Sequence, residues 1–109
     1  RFEDAIMHLR EGLIAPQLIT EQVDPDKIPH FERDYAATRS DIAKAYNLGS
    51  YYLLNQRHVT ALTITQPIIN SGKAPAQIYY LHAESLYQLG DFIGSWAAYV
   101  RYLAISRQI

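Results

Sequence analysis

A chain of 109 residues with a formal net charge of −1 is long enough for one core of three to five helices and has no broad basic footprint for nucleic acid. A hydrophobic fraction of 49% against 19% charged side chains suits a folded chain, and no apolar run approaches a membrane span or reads as a signal peptide. Without cysteine, disulfides, thiolate zinc sites and cysteine nucleophiles are excluded together, and the compartment stays open between cytoplasm and periplasm.

The first segment, Arg1 to Leu13, has the spacing of an amphipathic helix over 2–13. Residues 14–29 break the pattern, because Pro16, Pro25 and Pro29 forbid one continuous helix. They read as an insertion loop or two short helical turns. From His30 to Leu54 there is no proline and one glycine, which predicts an elongated or kinked helix over 30–54. A restart at Ser40-Asp41 is the other option there, since that pair offers an N-cap before Ile42.

A further helix is expected over 57–71, with Pro67 kinking it or ending its regular bonding early. Ser71-Gly72 closes that helix, and Pro75 opens the next, expected over 76–89. Gly90 suits the left-handed position past a helix end, and Asp91 suits the cap of a last helix over 91–106. Tyr79, Ala83, Leu86 and Leu89 form one stripe before this turn. Phe92, Ser95, Tyr99, Tyr102 and Leu103 form another after it. So short a connection makes the two helices antiparallel.

The hairpin has a copy upstream. A shift of 34 residues, without a gap, puts Tyr46 under Tyr80, Gly49 under Ala83, Tyr52 under Leu86, Ala61 under Ser95 and Ile69 under Leu103. Leu48, Gly49 and Tyr52 stand at the Leu, Gly and Tyr of the tetratricopeptide first-helix motif, and Ala61 at its small second-helix residue. Downstream, Tyr79 takes the place of the motif's Trp, Ala83 of its Gly, Ser95 of its small residue and Tyr99 of its second-helix aromatic. The segment 42–109 therefore resembles the tetratricopeptide repeat family. It departs from the pattern at Ala45, His82 and Thr65, and its nearest proline is Pro75 instead of position 73.

The resemblance implies an all-α fold: antiparallel helix hairpins stacked as a short right-handed superhelix, a TPR-like α-solenoid. The expected layout is one domain over 1–109, with 1–13 the second helix of a preceding partial repeat, 14–41 an insertion and linking helix, and repeats at 42–75 and 76–109. A chain that starts inside a repeat and ends at Ile109 without a polar capping helix is expected to have apolar end faces.

Charge is uneven along the chain. Residues 1–41 carry five basic and nine acidic side chains, a balance of −4, and residues 42–109 carry five and two, a balance of +3. Solvated faces explain this, as does packing of the acidic segment near the repeats.

Enzymatic chemistry has no foothold. His8, His30, His58 and His82 form no metal-ligand motif, and no serine lies in a nucleophile elbow. Glu3-Asp4 and Asp24-Pro25-Asp26 favour helix starts and turns. His82 falls at a core-facing position and is expected to be a hydrogen-bonded buried histidine. No enzyme activity, cofactor or metal is expected.

What remains is surface. In the resembled family the first helix of each unit lines a concave groove that grips peptides or partner helices. That implies partner-binding roles here for Tyr46, Asn47, Ser50, Leu53, Gln77, Tyr80, Glu84 and Tyr87. Tyrosines suit such a site because they combine apolar area with a polar tip. Asn47 matches one position of the family's carboxylate clamp. Leu81 and Gln77 stand where that clamp wants a base, which argues against capture of chaperone tails. The expected function is a protein–protein interaction module or scaffold with a protein or peptide ligand and no nucleic acid or membrane insertion. The alternative is a self-assembling or architectural fragment of a longer solenoid, a homo-oligomer through its repeat ends.

Overall fold

Local chemistry sets where each helix starts and stops. The computed structural model describes residues 2–17 and 24–109. Six α-helices run Phe2–Gly12 (α1), Ile28–Ala37 (α2), Ile42–Leu54 (α3), His58–Asn70 (α4), Ala76–Gln88 (α5) and Phe92–Ile105 (α6). A single 3₁₀ turn, Pro25–Lys27, leads into α2. No strand occurs among the described residues. Part of the expected insertion, residues 18–23, lies outside the described residues.

The helix expected over 30–54 is two helices. Thr38 leaves helical geometry at φ −145°, and the Asp41 side chain accepts from the Lys44 N–H at 3.3 Å to start α3. An aspartate that satisfies a free first-turn donor outcompetes continuation of the preceding helix. Pro67 does not end α4, which continues to Asn70. Both Pro67 and Thr63, the residue whose carbonyl loses its donor, face solvent, so water supplies the missing bond.

The Gly90-Asp91 turn forms as expected. Gly90 sits at φ 83°, its N–H donates to the Tyr87 carbonyl, and the Asp91 N–H donates to the Leu86 carbonyl. That paired closure is a Schellman motif. The Asp91 side chain then accepts from the Gly94 N–H at 3.0 Å and caps α6. The end of α3 closes by the same two bonds, with Gln56 at φ 63° in the glycine's place.

Consecutive helices from α2 to α6 pack on one another, and α3 also meets α5. Small residues sit at the close contacts. A Cβ on Gly49 would come within 2.9 Å of Leu81 Cδ1, and the Ser95 hydroxyl donates to the Ala83 carbonyl at 3.0 Å across the α5–α6 contact. Two apolar clusters result. Tyr35, Leu48, Tyr51 and Tyr52 centre one around α3, and Tyr80, Tyr99, Tyr102 and Leu103 centre the other around α5 and α6.

The position of α1 differs from the expectation. A preceding repeat would set residues 1–13 against α3, but that neighbour is α2, and α1 lies against α6. Ile6, fully buried, joins the cluster of Tyr99, Tyr102 and Leu103. The expected end faces each carry a neighbour, α1 on α6 and α2 on α3, while Ile93 and Ile105 of α6 stay 78% and 39% exposed. The physical reason is the long connection between α1 and α2, which lets an amphipathic helix reach whichever apolar stripe is unfilled.

Candidate interaction groove

Tyr80, Glu84 and Tyr87 lie on one face of α5 at three- and four-residue spacing, one above another. Glu84 is 8% exposed, so its charge needs a partner. Arg10 of α1 provides it. Arg10 Nη2 donates to Glu84 Oε2 at 2.8 Å and Nε to Glu84 Oε1 at 3.1 Å, a two-point fork. The Tyr99 hydroxyl donates to Glu84 Oε1 at 2.5 Å and accepts from Arg10 Nε at 2.9 Å. The guanidinium also lies over the Tyr87 ring, 3.9 Å from its centroid. One arginine is thus held at its edge by a carboxylate and a phenol, and on its face by a ring.

The electrostatics follow from this packing. Burial works against the Arg10 charge, but the hydrogen bonds and charge of Glu84, with Tyr99 beside them, outweigh it and hold the proton more tightly than usual. Burial, then the bond to Glu84, pushes the Tyr99 phenol well up. Burial and the nearby Glu84 charge push Tyr80 up to about 12. Both tyrosines therefore stay protonated through the neutral range, and Tyr99 remains a donor to the carboxylate.

Past α1 the chain is held by its backbone. The Tyr102 hydroxyl and Gln108 Nε2 both donate to the Ile14 carbonyl, the latter at 2.9 Å, while Gln108 Oε1 accepts from the Ile14 N–H at 2.6 Å. The Ile14 side chain stays 74% exposed. Three residues on, the Tyr46 hydroxyl donates to the Gln17 carbonyl at 3.0 Å. Residues 10–17 therefore lie across the tyrosines of α3, α5 and α6, held by one side chain, two main-chain carbonyls and one main-chain N–H.

The eight residues expected to face a partner divide. Tyr46, Asn47, Gln77 and Tyr87 are half-buried. Ser50, Leu53, Tyr80 and Glu84 are buried, and the Ser50 hydroxyl has no hydrogen-bond partner among the described residues. The structure brings Tyr80, Glu84 and Tyr87 together around Arg10 and sets Tyr46 at the far end of the same segment. Sequence reasoning missed Arg10, Tyr99, Tyr102 and Gln108. A signal was present: Glu84 and Asp91 are the two carboxylates of residues 42–109, Asp91 is a cap, and an inward-facing Glu84 requires a cation.

His82 stands apart from the groove. It is buried, with Nδ1 2.8 Å from Thr65 Oγ1, and burial lowers its pKa against the smaller opposing effect of Asp91. Two of the departures from the repeat pattern, Thr65 and His82, are thus one polar pair, placed between α4 and α5. Among the described residues no three His, Asp or Glu side chains converge as metal ligands, and no helix is long and apolar enough to cross a membrane. No family model, curated protein or solved structure matches the chain.

Proposed function

We propose that this chain is a protein–protein interaction module, a short TPR-like superhelix whose tyrosine-lined groove receives a polypeptide segment of a partner. The repeat reading draws support from helix boundaries: α3 and α5 span 42–54 and 76–88, and α4 and α6 begin at 58 and 92, each offset by 34 residues. Gln56 and Gly90, the left-handed residues that close α3 and α5, keep the same offset.

The observation that carries the functional reading is the grip on residues 10–17. Main-chain carbonyls at Ile14 and Gln17 meet tyrosine hydroxyls, and Gln108 meets both the N–H and the C=O of Ile14. Main-chain contacts of this kind suit polypeptide of varied sequence, and a buried aromatic neighbourhood supplies the affinity. The surface already holds polypeptide by chemistry that another chain can use.

The test is a pull-down with the intact chain beside Tyr46→Ala and Tyr87→Ala variants of unchanged helicity. Truncated aromatic anchors commonly cost about 2 kcal/mol or more, so partner capture should fall tenfold or more in each. A partner retained by both variants and contacting Arg57, Trp96 and Arg101 instead overturns the groove. The alternative is a self-assembling or architectural fragment of a longer solenoid, whose end helices here already carry α1 and α2 as neighbours.

A further inference from the structure

The attachment of α1 has an unusual balance. Ile6 is the one buried residue of the helix, and Phe2 and Met7 remain 45% and 43% exposed. Beside Arg10, α1 leaves a cavity of about 300 Å³ against Tyr80, Glu84 and Tyr87. Its apolar hold is small and its fit incomplete, while Arg10 is bonded through Nε and Nη2 and stacked on Tyr87. Leu9 and Leu13 pack at the edge of the cluster that Ile6 enters.

We propose that α1 is a displaceable internal ligand, and that the groove selects a partner helix presenting an arginine flanked by aliphatic residues four positions before and three after. Ile6 and Arg10 define that spacing on one face of α1, and Leu13, one residue past the helix end, packs at the edge of the same cluster. The inference rests on the groove reading above and names its partner class. Arginine is required over lysine because both Glu84 oxygens are met by a planar fork, and the same plane stacks on Tyr87. A lysine ammonium has donors but no planar fork to match both oxygens and no plane to stack on Tyr87. The Glu84 carboxylate, buried beside three phenol-bearing rings, also rejects an acidic or uncharged occupant, which would leave it unpaired. Because α1 is tethered, it competes at an effective concentration on the order of millimolar, and a free partner gains access only against that competition.

The experiment uses a fluorescent peptide of residues 2–17 as the probe, titrated with three forms of the full chain: wild type, Arg10→Ala, and Ile6→Ser/Arg10→Ala. The peptide should bind the double variant at least tenfold more tightly than wild type, with Arg10→Ala between them. A peptide carrying Arg10→Lys should bind the double variant at least tenfold more weakly than the parent peptide. If the double variant loses helicity, Arg10→Ala alone carries both comparisons. Equal binding of the arginine and lysine peptides overturns arginine selection while leaving the groove as a peptide site. Equal binding to all three chains overturns displacement of α1. No binding to any chain removes the groove reading together with this inference. A wild-type chain that sediments as a dimer, reverting to monomer in the double variant, identifies the occupant as α1 of a second copy and overturns the proposal.

Discussion

Glu84 faces an apolar cluster, and what it costs to hold a charge there is offset by three donors: two nitrogens of Arg10 and the Tyr99 hydroxyl. Removing Arg10 strips the carboxylate of its countercharge while leaving it buried. Hydrogen bonds to charged groups contribute about 1.5–3 kcal/mol, so Arg10→Ala should lower stability by that order in urea denaturation. A variant with an unchanged midpoint would separate Arg10 from the fold. His82 makes a pH statement at the same scale. Its folded pKa lies below the ordinary value of about 6.5 because burial disfavours the cation. Just below pH 6.5 the unfolded chain then binds more protons at this site than the folded chain does. The contribution of His82 is therefore fully present above about pH 6.5 and is lost as pH falls toward the folded pKa. The denaturation midpoint of wild type should drop relative to His82→Gln between about pH 7 and pH 5. Parallel curves for the two proteins would assign the pH dependence to other groups.

Among the elements, the α3–α5 contact tests the packing most directly. Gly49 faces Leu81, and an added Cβ would lie 2.9 Å from Leu81 Cδ1, the far end of a flexible side chain. Alanine asks for a small shift of that methyl and gains helix propensity of roughly 1 kcal/mol over glycine. Gly49→Ala should therefore stay within about 1 kcal/mol of wild type. Gly49→Leu adds three further carbons against a fully buried Leu81 and should cost on the order of 1–3 kcal/mol. Thermal melts of the two variants check the pair. Equal melting of Gly49→Leu and wild type would show that α3 and α5 are not in close contact at this position. The capping residues act at the same scale. Asp41 and Asp91 start α3 and α6 by accepting a main-chain N–H three residues on, which is why those boundaries lie where the caps are.

For the whole molecule, the order in space is α2, α3, α4, α5, α6, α1, with the chain's first helix against its last. This arrangement covers Tyr99, Tyr102 and Leu103, all at most 4% exposed. Tyr102→Asp is therefore a substitution in the core that would destabilise the fold and cannot probe assembly. With α1 lying on α6 and α2 on α3, the chain should sediment as a monomer up to high concentration. A concentration-dependent dimer would return the self-assembly reading, with exchange of α1 as its simplest route.

The sequence alone determined the all-helical class, most helix limits and the 34-residue offset, and it marked Gly49, Ala83 and Ser95 as contact residues. These depend on interactions that span a few residues: a cap three positions ahead, a turn closed by a left-handed residue, a stripe repeating every three or four positions. The break at Thr38 was legible in the same way, since Ser40-Asp41 offered the cap that won. Tertiary structure alone decided that α1 docks on α6, that Ser50, Leu53, Tyr80 and Glu84 lie inside, and that Arg10 pairs with Glu84. Arg10 and Glu84 are 74 residues apart, and Ile14 and Gln108 are 94 apart. A 3.6-residue period tells which side chains share a face. It does not say which helix that face meets, because the closing of a long loop depends on the apolar stripe left unfilled elsewhere in the molecule.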